Sequence, residues 1–206
     1  AFELERSPIS AVYAQIESDL DIAIASLPIT TVAGRLTKGA ALTLSGKFWL
    51  TRKDYAMAKT ALDQVVNSNL YDLLPDYADV FDPSNKNHIE SIFEVQFQGG
   101  NDLGEQSGFI YNFYPKFTNG EVTGFPGISG GGWNIPTLDI IGDYEDGDLR
   151  KSISLSEGYT NINTGDFVAI PFIEKFRYEH SIQGRPDNNW PIYRYADVLL
   201  MLAEAI

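Results

Sequence analysis

Between Ser7 and Leu27 the apolar residues Tyr13, Ile16, Leu20, Ile24 and Leu27 recur at the three- and four-residue spacing of a helix with one buried stripe. Ser7-Pro8 supplies the residue types of an N-cap and a first helical position, and Pro28 ends the pattern. A second helix is predicted after Thr37, a candidate cap. There "KGAALTLSGKFWL" puts Ala41, Leu44 and Phe48 on one face, while Gly39, Ser45 and Gly46 keep another face thin enough for a neighbouring helix. Asp54 caps a third helix, with Tyr55, Ala58, Leu62 and Val65 as its stripe, and "NSNLYDLLPDY" closes it with turn formers. Helices two and three thus read as a short-looped antiparallel hairpin.

The tetratricopeptide pattern can be laid over that hairpin as Ala41-x2-Leu44-Ser45-x2-Phe48 and then Ala58-x3-Leu62. The match is in size class rather than in letters, and any packed helical hairpin fits these residues as well. Further along, "ESIFEVQFQ" alternates Ile92, Glu94 and Gln96 against Phe93, Val95 and Phe97, the period of a strand. From Gly99 to Asn189 helical periodicity fades and Gly, Asn, Pro, Tyr and Phe dominate. "DFVAIPFIEKF" reads as extended, with Pro171 against a central strand. A last helix is predicted in "RYADVLLMLAEAI", on the stripe Tyr195, Val198, Leu199, Leu202, Ala205 and Ile206. No stop signal follows it, which leads us to expect that the chain is a piece of a longer one.

Composition narrows the function. The chain has 206 residues, 44% hydrophobic and 13% aromatic, enough to bury a sizeable core. A net charge of −13, with 15 scattered Lys and Arg, speaks against nucleic acid, whose recognition needs clustered cations. No apolar run approaches the roughly 18 residues that a bilayer-spanning helix needs. The absence of cysteine removes thiol catalysis and the commonest zinc sites.

The catalytic motifs fail on context. Gly127-Ile128-Ser129-Gly130-Gly131 has the letters of a nucleophile elbow, but Pro126 before it and Gly132 after it fit neither the strand nor the helix that such a turn joins. His88 and His180 lack metal-binding spacing and read as surface or loop residues, and Gly46-Lys47 sits inside a helix rather than in a phosphate loop. The acidic turn "GDYEDGDLR", Gly142 to Arg150, misses the calcium-loop spacing and has nothing apolar nearby to raise a carboxyl pKa for glycoside hydrolysis. No cofactor, metal or catalytic residue is expected.

The stretch suited to binding is Gly108 to Trp133. Phe109, Tyr111, Phe113, Tyr114, Phe117 and Trp133 lie there on a glycine-rich backbone, with Asn112 among them and Asn101 nearby in sequence to form a polar rim. Sugars present C–H faces that pack on aromatic rings and hydroxyls that need polar side chains at the edge. The competing expectation is that the rings anchor a long loop, and Trp133 and Trp190 in particular are expected to be mainly structural.

Five stretches together resemble the SusD/RagB family of outer-membrane nutrient-binding lipoproteins. They are "AVYAQIESDLDIAIASLP", "GRLTKGAALTLSGKFWLTRKDYAMAKTALDQVVNSNLYDLLPDYADVF", "NHIESIFEVQF", "NIPTLDIIGDYEDGDLRKSIS" and "WPIYRYADVLLMLAEAI". The resemblance implies a mainly α fold of TPR-like, SusD-like helical hairpins with a long loop-rich insertion containing short strands. It implies one such domain over 1–206, incomplete at both ends: a helical scaffold to residue 80, a loop-rich candidate binding region over 81–189, and a scaffold helix over 190–206. It further implies a non-catalytic surface lipoprotein of Bacteroidota that captures glycans and passes them to a SusC-like TonB-dependent transporter. The signal peptide and lipid anchor would lie outside this chain. RagB-like members bind peptides instead, which keeps a peptide-binding helical-repeat module as the alternative. The resemblance also implies that Asp148 and Arg150 tie the acidic turn to the helices.

Overall fold

The computed structural model describes residues 5–100 and 104–206. Helices dominate and the strands are short. The chain divides into two compact units, neither continuous in sequence. One takes residues 1–73, 87–95 and 191–206, and the other takes 74–86 and 96–190.

The first unit is built on α1 (Ile9–Ser26), α2 (Lys38–Thr51) and α3 (Tyr55–Val66). Pro8 itself occupies the N-cap position of α1 and has no side-chain acceptor, so the expected Ser7 cap is absent. Leu20 is buried and the rest of the predicted stripe is half-buried. The other two caps form as the sequence suggests: Ala40 N–H donates to Thr37 Oγ1 at 3.3 Å, and Met57 N–H to Asp54 Oδ1 at 3.1 Å. Leu44, expected in the core, is 43% exposed, while Ala40, Leu42, Thr43 and Phe48 are buried. Because α2 packs against both α1 and α3, its buried surface is wider than one stripe. The thin face behaves as expected: a Cβ on Gly46 would lie 2.5 Å from Leu62, which is fully buried on α3. Gly39 likewise faces the Tyr71 ring.

Strand β1 (Ser91–Val95) pairs with β6 (Trp190–Arg194), and α6 (Tyr195–Glu204) follows directly. On β1 the buried positions are Ile92 and Glu94, and Val95 is exposed. Glu94 is accommodated because its carboxylate accepts from Asn87 N–H at 3.3 Å. Two family-like stretches meet here. Tyr195 N–H donates to the Glu90 carbonyl at 2.8 Å, and Arg194 Nη1 donates to the buried Glu90 carboxylate at 2.7 Å. Arg194 N–H donates to Asp197 Oδ2 at 2.8 Å, closing the start of α6. Val198 on α6 joins Ala40, Leu42, Leu62, Val65 and Ile92 in this unit's core, whereas Ile206 of the predicted stripe is exposed.

The second unit has its own, mainly aromatic core. Val80, Phe81, Ile110, Phe113, Tyr114, Val122, Phe172 and Phe176 are buried together. Its regular elements are brief: α4 (Leu138–Asp143), α5 (Arg150–Ser154), and the antiparallel pairs β2 (Leu155–Ser156) with β5 (Phe172–Ile173) and β3 (Tyr159–Thr160) with β4 (Phe167–Val168). Buried Pro171 falls between β4 and β5, so "DFVAIPFIEKF" is extended but broken into two-residue strands. The helices α4 and α5 lack any sequence signal strong enough to stand out, since five or six residues span fewer than two helical turns.

Candidate functional site

The segment Gly108 to Trp133 lies wholly in the second unit, and backbone hydrogen bonds hold it. A 3-10 turn over Gly108–Phe113 places Ile110 and Phe113 inward. The chain then loops and returns alongside itself. Gly130 N–H donates to Pro115 O at 3.0 Å, Gly131 N–H to Tyr111 O at 2.7 Å, and Gly132 N–H to Tyr114 O at 2.9 Å. Trp133 and Asn134 N–H groups both donate to Asn112 O at 3.0 Å. Glycine permits this return: a Cβ on Gly130 would overlap the Tyr114 carbonyl. Inside the loop, Thr123 Oγ1 donates to Ile128 O at 2.8 Å, and Ser129 Oγ accepts from Asn119 N–H at 3.1 Å. Ser129 is thus a loop brace.

The candidate residues separate by direction. Tyr114 is 1% exposed and Phe113 8% exposed, which removes both from any contact surface. Tyr114 donates its hydroxyl to Phe176 O at 3.2 Å, and burial pushes its phenol pKa up. Phe113 stacks on Phe176 and Trp190, with ring centres 5.8 and 6.1 Å away. Phe109 is half-buried, 5.3 Å from Trp190 and 5.2 Å from Phe97. For these three the anchoring role prevails, because a unit with so little regular structure obtains its apolar burial from large rings.

Tyr111 is half-buried and its hydroxyl is engaged. It lies 2.9 Å from His180 Nε2 and accepts from Gly184 N–H at 3.2 Å. His180 Nδ1 sits 3.0 Å from the Tyr178 carbonyl, which can only accept, so Nδ1 donates to it. Desolvation raises the Tyr111 pKa. His180, a loop residue as expected, ties two loop segments together through these bonds. His88 is half-buried, with Nδ1 accepting from Glu90 N–H at 3.2 Å.

Phe117 and Trp133 point the other way, 90% and 80% exposed. Phe117 adopts a positive φ of 61°, a costly backbone for a bulky residue. Trp133, expected to be mainly structural, is instead anchored through its backbone N–H, with most of its indole exposed. Lys116, which precedes Phe117, carries its ammonium 5.0 Å from the Trp133 ring centre. Asn112 is exposed and uses its carbonyl to fix Trp133. Asn101 lies outside the described residues. The loop thus carries two exposed rings, Phe117 and Trp133, with the Lys116 ammonium beside the second, on a backbone held by its own hydrogen bonds. Lys116 escaped the sequence reading because an isolated lysine has no motif.

In the acidic turn, Asp148 and Arg150 bind each other: Arg150 Nη2 reaches Asp148 Oδ2 at 2.6 Å and Nε reaches Oδ1 at 2.9 Å. These bonds hold the Asp148 carboxyl down at about 2. Asp143, Glu145 and Asp146 are exposed. Among the described residues no three His, Asp or Glu side chains are arranged to hold a metal ion, and no helix is long and apolar enough to cross a membrane.

Comparison with known proteins gives the same family from sequence and from structure. The SusD family model matches residues 149–206. A SusD-like protein, P25, of Formosa agariphila is 23% identical over 98% of this chain and 44% of its own length. A SusD superfamily protein from Parabacteroides distasonis superimposes with a TM-score of 0.80 at 27% identity, covering 97% of this chain and 46% of that one. A laminarin-binding SusD-like protein does so with a TM-score of 0.77 at 28% identity, covering 97% and 50%. The chain thus spans about half the length of these relatives or less, and in both sequence and structure it is similar to proteins of the SusD family.

Proposed function

We propose that this chain is part of a non-catalytic protein that binds glycan at the cell surface, with Trp133 and Phe117 as the sugar-stacking rings and Lys116 and Asn112 as polar partners at their edge. The observation that carries the reading is the pair of exposed rings on a loop braced by its own backbone. An ordered loop binds without first losing its conformational freedom, which favours affinity from a small contact area. The laminarin-binding relative supports a polysaccharide as cargo. The protein would hand its glycan to a SusC-like TonB-dependent transporter in the outer membrane and be tethered there by a lipid outside this chain. One such site binds weakly, and several sites along one polymer strengthen the hold.

Isothermal titration of the chain against a panel of neutral and acidic polysaccharides tests this. Trp133→Ala should weaken the tightest interaction on the order of tenfold, about the contribution of one stacked ring, while Trp133→Phe loses less. The glycan should release no new reducing ends during incubation. Unchanged affinity in Trp133→Ala, or displacement by short peptides and not by oligosaccharides, would count against the reading and favour the RagB-like alternative.

A further inference from the structure

We propose that a polar cleft elsewhere in the second unit, bounded by Lys86, Gln96, Phe97, Gln98, Glu105 and Asp187, is a second sugar site and takes an uncharged ring; this rests on the glycan reading above. The cleft is open to solvent and has a volume of about 740 Å³, inside the range of roughly 300–1,000 Å³ typical of small-molecule sites. None of its lining residues belongs to the Gly108–Trp133 segment.

The frame of the cleft is fixed. Gln98 N–H donates to Glu105 O at 2.8 Å, Gly99 N–H to Asp187 Oδ1 at 2.7 Å, and Phe97 N–H to Asn189 Oδ1 at 2.9 Å. Lys86 Nζ donates to Phe97 O at 2.9 Å and to Asp187 Oδ1 at 2.6 Å, which engages two of its three protons. What remains is a mixed set of donors and acceptors. The side chains of Gln98 and Glu105 and the second oxygen of Asp187 have no partner among the described residues. An amide, two carboxylates and one ammonium proton suit adjacent hydroxyls, each of which both donates and accepts. The ring of Phe97, half-buried against Phe109, adds an apolar edge.

Charge decides the class of sugar. Lys86 balances Asp187, so Glu105 leaves the cleft negative, which repels uronate or sulfate groups and leaves neutral hydroxyls unopposed.

Side-chain and backbone amide NMR of the whole chain tests the proposal, with a β-1,3-glucan hexasaccharide, maltohexaose, mannohexaose, xylohexaose and trigalacturonate as probes. At least one neutral hexasaccharide should shift the Gln98 side-chain amide and the Gly99 N–H, and should still do so in Trp133→Ala. Gln98→Ala should weaken the binding read from the Gly99 N–H about fivefold, the loss of one hydrogen bond to the sugar. Trigalacturonate should leave Gln98 unmoved. A neutral probe that shifts Trp133 without Gln98 overturns this site and leaves the first reading standing. Silence at both places from every probe removes both. A Gln98 response that disappears in Trp133→Ala, or one driven by trigalacturonate, also overturns the proposal.

Discussion

Tyr114 and Trp133 are both large aromatic residues of one glycine-rich stretch, yet they are 1% and 80% exposed. Residue type alone could not separate them. In a helix or strand, periodicity says which side chains share a face; an irregular loop has no period, so inward Phe113 and outward Phe117 look alike in sequence. The glycines were the informative letters. Gly130 has no room for a Cβ beneath the Tyr114 carbonyl, and its tight seat is what brings the following residues back to Asn112 and leaves the Trp133 indole in solvent. Gly130→Ala must therefore push the two backbone segments apart. It should cost about 1–3 kcal/mol as an overpacking substitution, a fall in Tm of several degrees for a chain of this size, and it should weaken glycan binding through displacement of Trp133. Thermal unfolding and titration on the same sample check both halves. An unchanged Tm would show that the close return of the loop is not what orders it.

At the scale of elements, the helices were legible and the pairing of strands was not. Thr37 and Asp54 cap where their positions suggest, and the small residues of α2 do receive a neighbour. Leu44 was misread because a stripe model assumes one buried side, whereas α2 is packed on two. Nothing local in "ESIFEV" or "WPIYR" says that β1 and β6 pair. Their link is chemical, through the Glu90–Arg194 ion pair and the Tyr195 N–H to Glu90 carbonyl bond, and such long-range matches leave no periodic trace. The α2–α3 contact gives a clear test. Gly46→Ala gains about 1 kcal/mol of helix propensity, but the new methyl would sit 2.5 Å from the Cγ of fully buried Leu62, which cannot withdraw. Overpacking costs of about 1–3 kcal/mol should outweigh the gain, so chemical denaturation should show net destabilisation. A stabilised Gly46→Ala protein would mean that α2 and α3 are less closely seated than described.

At the scale of the whole molecule, the two units divide the work of the residues differently. One is a helical scaffold whose core is aliphatic; the other is loop-rich and buries rings because it has few regular faces to pack. Among the described residues, the long irregular stretch that the sequence marks as unusual packs around its own rings, and the exposed rings stand out because so many others in the same unit are buried. A net charge of −13 disfavours polyanions, which is consistent with the neutral sugar proposed above. Trp133 carries the proposed binding. The direct measurement is a crystal structure of the chain soaked with the oligosaccharide that binds best in titration. The account predicts a sugar ring with its C–H face on the Trp133 indole at about 4 Å, and Lys116 or Asn112 at its hydroxyls. An intact oligosaccharide bound elsewhere while the Trp133 indole stays bare, or a cleaved one lying between carboxylates, would contradict it.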